Sequence, residues 1–129
     1  MAQDWIWVDS AVALAAHGEQ LAEHGGVEGV RDMNTLESVM ARPLNLVAYG
    51  DPDIAGLAAS YAFGIARNHP FVDGNKRTAV VVSETFLMIN GYRLRCDDAE
   101  LVTTFLSLAA GDLTVEQLAD WFRRHVAAE

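Results

Sequence analysis

The chain has 129 residues, which suits one domain, since domains usually have about 100 to 200 residues. Nine Lys and Arg residues against eighteen Asp and Glu residues give a formal net charge of −9. A surface this acidic repels phosphate backbones and anionic lipid at long range, which disfavours general binding to nucleic acid or to membranes. A hydrophobic fraction of 51% and a charged fraction of 21% are typical of a packed globular chain rather than a disordered one.

The single cysteine and the N-terminal residues indicate the cellular compartment. Cys96 has no partner for an internal disulfide, and nothing resembles paired zinc-ligand spacing, so a reducing compartment fits best. Residues 1–7 carry Asp4 and two tryptophans where a signal peptide needs a cationic stretch and a long apolar run. No apolar run approaches the roughly 20 residues that span a bilayer. We therefore expect a soluble protein of the cytoplasm.

The first two helices are predicted from the residues that can cap them. Asp9 is suited to cap a first helix over residues 10–24, which the glycines at 25–26 end. Asp32 offers its carboxylate to the free amides of a second helix. Because proline has no N–H, we expect that helix to stop before Pro43.

The third and fourth helices flank a polar segment. Asp51-Pro52 predicts the start of the third helix, because aspartate caps a helix and proline suits its first position. This helix runs to about Asn68. The fourth helix runs from about Asn75 to Ile89 and is apolar nearly all round, so we expect it to be the central, buried helix.

The remaining elements complete an all-α fold. Capping-box patterns predict the starts of a fifth and a sixth helix at Asp97 with Glu100 and at Thr114 with Gln117. Two short apolar pieces, over residues 5–8 and 92–95, can pair as a minor β-ribbon. The sequence therefore predicts a compact single-domain bundle of about six helices over residues 1–129.

Polar chemistry concentrates in residues 69–77, between the third and fourth helices. Gly74 allows a tight turn there, and the amides that follow it are the unpaired donors of a helix N-terminus. Together with Lys76 and Arg77 they form a cradle suited to phosphate groups. A carboxylate at Asp73 can hold a divalent ion such as Mg²⁺ against phosphate oxygens. Histidine exchanges protons near neutral pH, so His69 can take a proton from an incoming hydroxyl.

This segment resembles the signature of the Fic/Doc family, His-x-Phe-x-Asp/Glu-Gly-Asn-Gly/Lys-Arg. The matching residues are His69-Pro70-Phe71-Val72-Asp73-Gly74-Asn75-Lys76-Arg77. Residues 24–32, 36–43 and 90–92 resemble the death-on-curing toxins of that family, so the resemblance covers most of the chain.

The resemblance implies a role for each matching residue. His69 would be the general base that activates a hydroxyl of a target protein, Phe71 would anchor the loop in the core, and Asp73 would bind Mg²⁺. The phosphates of ATP would be held by four residues: Gly74, Asn75, Lys76 and Arg77.

Two positions favour the death-on-curing branch over the AMP-transferring members. Those members have glycine where Lys76 stands and a second arginine where Val80 stands. The branch implies a protein kinase that phosphorylates a threonine of elongation factor Tu and so inhibits translation. Gly74 is instead typical of the AMP-transferring members, so transfer of AMP to a protein hydroxyl stays open as an alternative.

The resemblance also bears on regulation. AMP-transferring members carry an inhibitory Ser/Thr-x-x-x-Glu helix, and no Glu in this sequence has Ser or Thr four residues before it. We therefore predict a toxin that is held inactive in trans by an antitoxin protein, whose amphipathic helix covers a groove beside His69. A catalytically idle helical module that acts by binding is the rival from another functional class.

Other polar residues receive structural assignments. We assign His17, His24 and His125 to capping or surface positions, which is the common role of an isolated histidine. Arg31 and Asp32 are assigned to a structural turn and a helix cap.

Overall fold

The computed structural model describes residues 4–129. Among these residues six helices and one two-stranded antiparallel sheet are present, which confirms the predicted all-α bundle with a minor β-ribbon. The elements in chain order are α1 (Ser10–His24), α2 (Met33–Tyr49), α3 (Ile54–Asn68), α4 (Asn75–Ile89), β1 (Tyr92–Leu94), α5 (Asp98–Ala109), α6 (Val115–His125) and β2 (Val126–Ala128). Among residues 4–129, none of the helices combines the length and the hydropathy of a membrane span.

The central helix is α3, which packs against α2, α4, α5 and α6. Its many alanines and two glycines let neighbouring helices approach closely, and a Cβ atom at Gly64 would come within 2.7 Å of the Cγ1 atom of Val39 on α2. The prediction that α4 is the central helix is therefore wrong. The α4 side chains of Met88 and Ile89 are 60% and 38% exposed, because the last turn of that helix lies at the surface.

Two predicted helix boundaries are also wrong. Helix α3 begins at Ile54 and is capped by Asp53, whose carboxylate accepts from the Gly56 N–H at 2.8 Å, rather than by Asp51-Pro52. Helix α2 continues through Pro43 to Tyr49. Pro43 is buried and the later residue Val47 still packs against the core, so tertiary packing offsets the hydrogen bond that proline removes.

The β-ribbon exists, but one of its two strands is not the predicted one. Strand β1 pairs with β2 at the end of the chain, with Tyr92 opposite Ala128, and residues 5–8 form no strand. Those residues are held instead by a side chain: Asn90 accepts from the Ile6 N–H and donates to the Ile6 carbonyl, both at 2.9 Å. An amide side chain thus replaces a strand partner, and Trp7 stacks on Phe86 beneath it.

The two predicted capping boxes differ. Thr114 and Gln117 cap each other reciprocally, as predicted. Asp97 accepts from the Glu100 N–H at 2.7 Å, but the Glu100 carboxylate lies 2.9 Å from the Nε2 atom of His125. The second half of that box is therefore missing, because Glu100 joins α5 to α6.

Candidate active site

The segment between α3 and α4 begins with a strained residue. His69 ends α3 with φ of 50° and ψ of 59°, and it is the one non-glycine residue with positive φ among residues 4–129. The Arg31 guanidinium donates from Nε to the His69 carbonyl at 2.6 Å and from a terminal nitrogen to the Asn68 carbonyl at 2.7 Å. A cation at the C-terminus of a helix is favourable. Arg31 therefore holds the backbone of His69. The assignment of Arg31 to a structural turn, made from the sequence, did not predict this contact.

Backbone pairing braces the same segment from a second side. The Arg31 N–H donates to the Pro70 carbonyl at 2.8 Å, and the Val72 N–H donates to the Gly29 carbonyl at 3.0 Å. These bonds surround an isolated antiparallel bridge between the two segments. The glycine-rich turn after α1 is thus a support for the signature segment.

Asn75 ties the segment to itself. Its Oδ1 atom accepts from the Phe71 N–H at 3.0 Å, and its Nδ2 atom donates to the Phe71 carbonyl at 2.9 Å. Asn75 is buried, and the Phe71 ring is completely buried as an anchor in the core. Both polar atoms of the Asn75 side chain are used in these bonds. The group of Asn75 that can still bind a phosphate is therefore its backbone N–H.

The Asp73 carboxylate is exposed and held by two backbone donors. Oδ2 accepts from the Val27 N–H at 3.1 Å, and Oδ1 accepts from the Gly74 N–H at 2.8 Å. The Val27 bond first, and then the Gly74 bond, hold the pKa of Asp73 below its ordinary value, with a smaller contribution from the charge of Arg77. Asp73 is therefore an ionised carboxylate with a fixed orientation, and its oxygens can serve as metal ligands.

A single carboxylate, that of Asp73, fits a Mg²⁺ ion whose other ligands are mainly phosphate oxygens and water. Within residues 4–129 no group of three or more His, Cys, Asp or Glu side chains is arranged to hold a metal ion. Magnesium is commonly bound by one or two carboxylates, with substrate phosphates and water as the other ligands. Asp73 can provide such a carboxylate beside a phosphate-binding helix start.

Helix α4 begins with free donors. Gly74 is its N-cap, with φ of 77°, and no side chain caps the helix. The N–H groups of the first turn consequently have no side-chain acceptor, and they carry the positive end of the helix dipole. Lys76 and Arg77 are exposed in this first turn. The arrangement is that of an anion-binding helix N-terminus.

A cleft of about 640 Å³ brings the predicted site residues together. All six site residues predicted from the sequence line it: His69, Asp73, Gly74, Asn75, Lys76 and Arg77. Gln20 and His24 from the end of α1 also line it. An apolar wall completes it, formed by Val80, Val81, Leu101, Val102, Phe105, Leu106 and Ala109 of α4 and α5.

Comparison with known proteins identifies the family. The sequence model of the Fic/DOC family matches residues 7–87. The chain belongs to the Fic/DOC family. It is 34% identical over 112 residues to the protein kinase doc of Escherichia phage P1, across 86% of this chain and 88% of that protein. It is 45% identical over 75 residues to the Toxin Doc of Mycolicibacterium smegmatis, across 57% of this chain and 58% of that protein.

The Fic/DOC match covers one part of the cleft and not the other. It includes α1, the supporting turn, the signature segment and most of α4. Helix α5, which supplies most of the apolar wall, follows the matched region. The residues that match the family model therefore include the polar half of the cleft but not α5.

Proposed function

We propose that this protein is a toxin that transfers a phosphoryl group from ATP to a hydroxyl group of a target protein. The observation that carries the proposal is the convergence of an exposed histidine, an ionised carboxylate and two cations at the uncapped start of α4. The names of the two relatives, a protein kinase and a toxin, support the same reading.

In this proposal the start of α4 binds the polyphosphate. The first-turn N–H groups and the side chains of Lys76 and Arg77 stabilise its negative charge, which grows more spread over the oxygens as the phosphoryl group moves. Asp73 would hold Mg²⁺ when it is bound, and the ion would neutralise charge on the phosphate oxygens. The lysine side chain, where AMP-transferring members have glycine, favours a pose that presents the terminal phosphorus.

His69 acts as the general base. As the target hydroxyl oxygen forms its bond to the γ-phosphorus, the hydroxyl proton passes to the His69 imidazole, and the bond from the γ-phosphorus to the β–γ bridging oxygen breaks. The products are a phosphorylated protein and ADP. Arg31 keeps the His69 backbone in the conformation that ends α3 at the cleft.

We propose a threonine of elongation factor Tu as the acceptor and the cytoplasm as the place of action, in keeping with the death-on-curing resemblance. Transfer of AMP is the second candidate, and the glycine at position 74 favours it.

Labelled ATP separates these candidates. Purified protein is incubated with Mg²⁺, elongation factor Tu and ATP labelled at either the α- or the γ-phosphorus. We expect the γ label on the factor, and we expect His69→Ala to lower the rate by about 100-fold or more, because general base catalysis is worth that much. His69 is exposed, so the variant should melt at the temperature of the original protein.

Each other result has a definite meaning. The α label on the target would establish AMP transfer, and full activity of His69→Ala would remove the base assignment. Arg42→Ala is the control, because it deletes an exposed polar side chain on α2 that does not line the cleft. Nucleotide binding without transfer to any protein of a bacterial lysate would favour the idle binding module.

We further propose that an antitoxin inhibits the protein from outside. Val102 and Leu106, one turn apart on α5, are 58% and 52% exposed where they line the cleft. Adjoining apolar side chains at the surface are typical of a binding site for a partner. An amphipathic helix of an antitoxin, laid between α4 and α5, would cover this wall and restrict access to His69.

A further inference from the structure

We infer that His17 is a positioning residue that fixes the peptide between Asp73 and Gly74, and the inference rests on the proposed roles of Asp73 and of the start of α4. His17 lies in the middle of α1 and is only 5% exposed, so it occupies neither a surface nor a capping position. Its Nε2 atom lies 2.8 Å from the Asp73 carbonyl oxygen. Because a carbonyl only accepts, Nε2 must carry the proton and donate it.

The His17 ring is fixed by packing as well. It stacks on the Phe71 ring with 3.9 Å between ring centroids and 8° between planes. Phe71 is completely buried and is tied to Asn75 by two hydrogen bonds. The donor on α1 is therefore held against a rigid part of the signature segment.

The bond from His17 determines the direction of the next amide. The peptide bond is planar and trans, so the carbonyl of Asp73 and the N–H of Gly74 point in opposite directions. With its carbonyl held by His17, the peptide turns its N–H away from α1, and that N–H donates to the Asp73 Oδ1 atom at 2.8 Å. The bond from His17 thus orients the Gly74 amide and, through it, one of the two hydrogen bonds that hold the Asp73 carboxylate.

Gly74 makes an external restraint necessary. Glycine reaches positive φ without steric cost but also leaves it easily, and no side chain caps α4 at this point. The His17 ring lies beside Gly74, 3.7 to 3.8 Å from where a Cβ atom would be. His17 does not line the cleft that Asp73 and Gly74 line, so it acts through the loop rather than on the substrate.

Two substitutions separate the hydrogen bond from the packing. His17→Phe retains a stacked ring and removes the donor, whereas His17→Gln loses the ring and retains an N–H that can donate from a comparable position. We expect His17→Phe to lower kcat for phosphoryl transfer by about 10- to 100-fold, the usual effect of losing a hydrogen bond that orients a metal-binding residue. We expect His17→Gln to recover most of the rate.

A spectroscopic readout makes the test independent of catalysis. In the ligand-free protein, the ¹⁵N–¹H resonance of Gly74 should shift and exchange faster with solvent in His17→Phe, and it should return towards its original position in His17→Gln. His125→Phe is the matched control, since His125 also bonds a carbonyl, that of Trp121 at 2.7 Å, and stacks on the ring of that residue. It should leave the Gly74 resonance unchanged.

The outcomes are distinct. An unchanged Gly74 resonance and an unchanged kcat in His17→Phe would overturn the inference. Equal losses in both His17 variants, with equally lowered melting temperatures, would assign His17 to packing alone and also overturn it. If the original protein transferred no phosphate, the proposed function would fail, while the Gly74 resonance would still decide the role of His17.

Discussion

The Arg31 guanidinium donates to the carbonyl groups of both Asn68 and His69, at the point where α3 ends. His69 has a left-handed backbone conformation, which costs about 1 to 3 kcal/mol for a residue other than glycine. The two charge-assisted hydrogen bonds and the favourable position of a cation at a helix C-terminus offset this cost. Arg31 therefore restricts where the proposed base can lie.

Replacing Arg31 should slow phosphoryl transfer. Arg31→Met retains much of the side-chain length and removes both hydrogen bonds, so His69 can move away from its productive position. We expect kcat to fall by about tenfold, because small displacements of a catalytic group have effects of at least this size. Steady-state kinetics with labelled ATP provide the measurement. Arg42→Met, at an exposed position on α2, is the control, and an unchanged rate in Arg31→Met would contradict the role.

The site residues differ in how far the sequence alone could reveal them. The six predicted residues lie within nine consecutive positions, so their spacing is visible without a fold, and the structure places them in one cleft. The hydrogen bonds of Arg31 and His17 instead join residues 38 and 56 positions apart. Nothing in the local sequence around an isolated histidine marks it as a partner of a distant carbonyl.

At the scale of the helices, local signals predicted most starts and tertiary contacts decided the exceptions. The caps at Asp9, Asp32 and Thr114 depend on neighbouring amides and were predicted correctly. The start of α3 depends on which of two aspartates, Asp51 or Asp53, caps the helix. Asp53 becomes the cap because its carboxylate also pairs with Arg123 of α6, 70 positions later in the chain.

The ion pair of Asp53 should make stability depend on pH. The hydrogen bonds from Arg123 are the largest cause that lowers the pKa of Asp53 from its ordinary value of 3.8. Burial opposes them, and the Gly56 amide and the charge of Arg123 lower the pKa further. A lowered pKa in the folded state means that the charged form stabilises the fold above pH 3.8 and that this contribution is lost as the pH falls through the folded-state pKa.

Asp53→Asn tests this contribution, because asparagine caps a helix about as well as aspartate but carries no charge. At pH 7 we expect the variant to unfold with a free energy lower by about 0.5 kcal/mol, a small value because the pair is half exposed and screened by solvent. Urea denaturation at pH 7 and at pH 3 measures the difference. The difference in the free energy of unfolding should be smaller at pH 3. An equal difference at both pH values would show that the charge of Asp53 does not contribute to stability. Asp51→Asn is the control.

At the scale of the whole molecule, the helices bring two chemically different surfaces to one cleft. The start of α4 presents amides and cations within a chain of net charge −9, and α5 presents exposed aliphatic side chains. The polar surface suits a nucleotide. The apolar one suits a partner that excludes water, and this division supports an inhibitor that occupies the α5 side of the cleft.

The proposed antitoxin site can be tested by placing charges on α5. The double variant Val102→Glu, Leu106→Glu should bind the antitoxin at least about 100-fold more weakly, because each buried aliphatic side chain contributes roughly 1.5 to 3 kcal/mol and 1.4 kcal/mol is tenfold in Kd. The measurement is calorimetric titration with the protein that copurifies with the tagged chain. Val12→Glu, at a 41% exposed position on α1, controls for the added charge. If the double variant binds as tightly as the original protein, the inhibitor does not occupy the wall formed by α5, and inhibition must act at another surface.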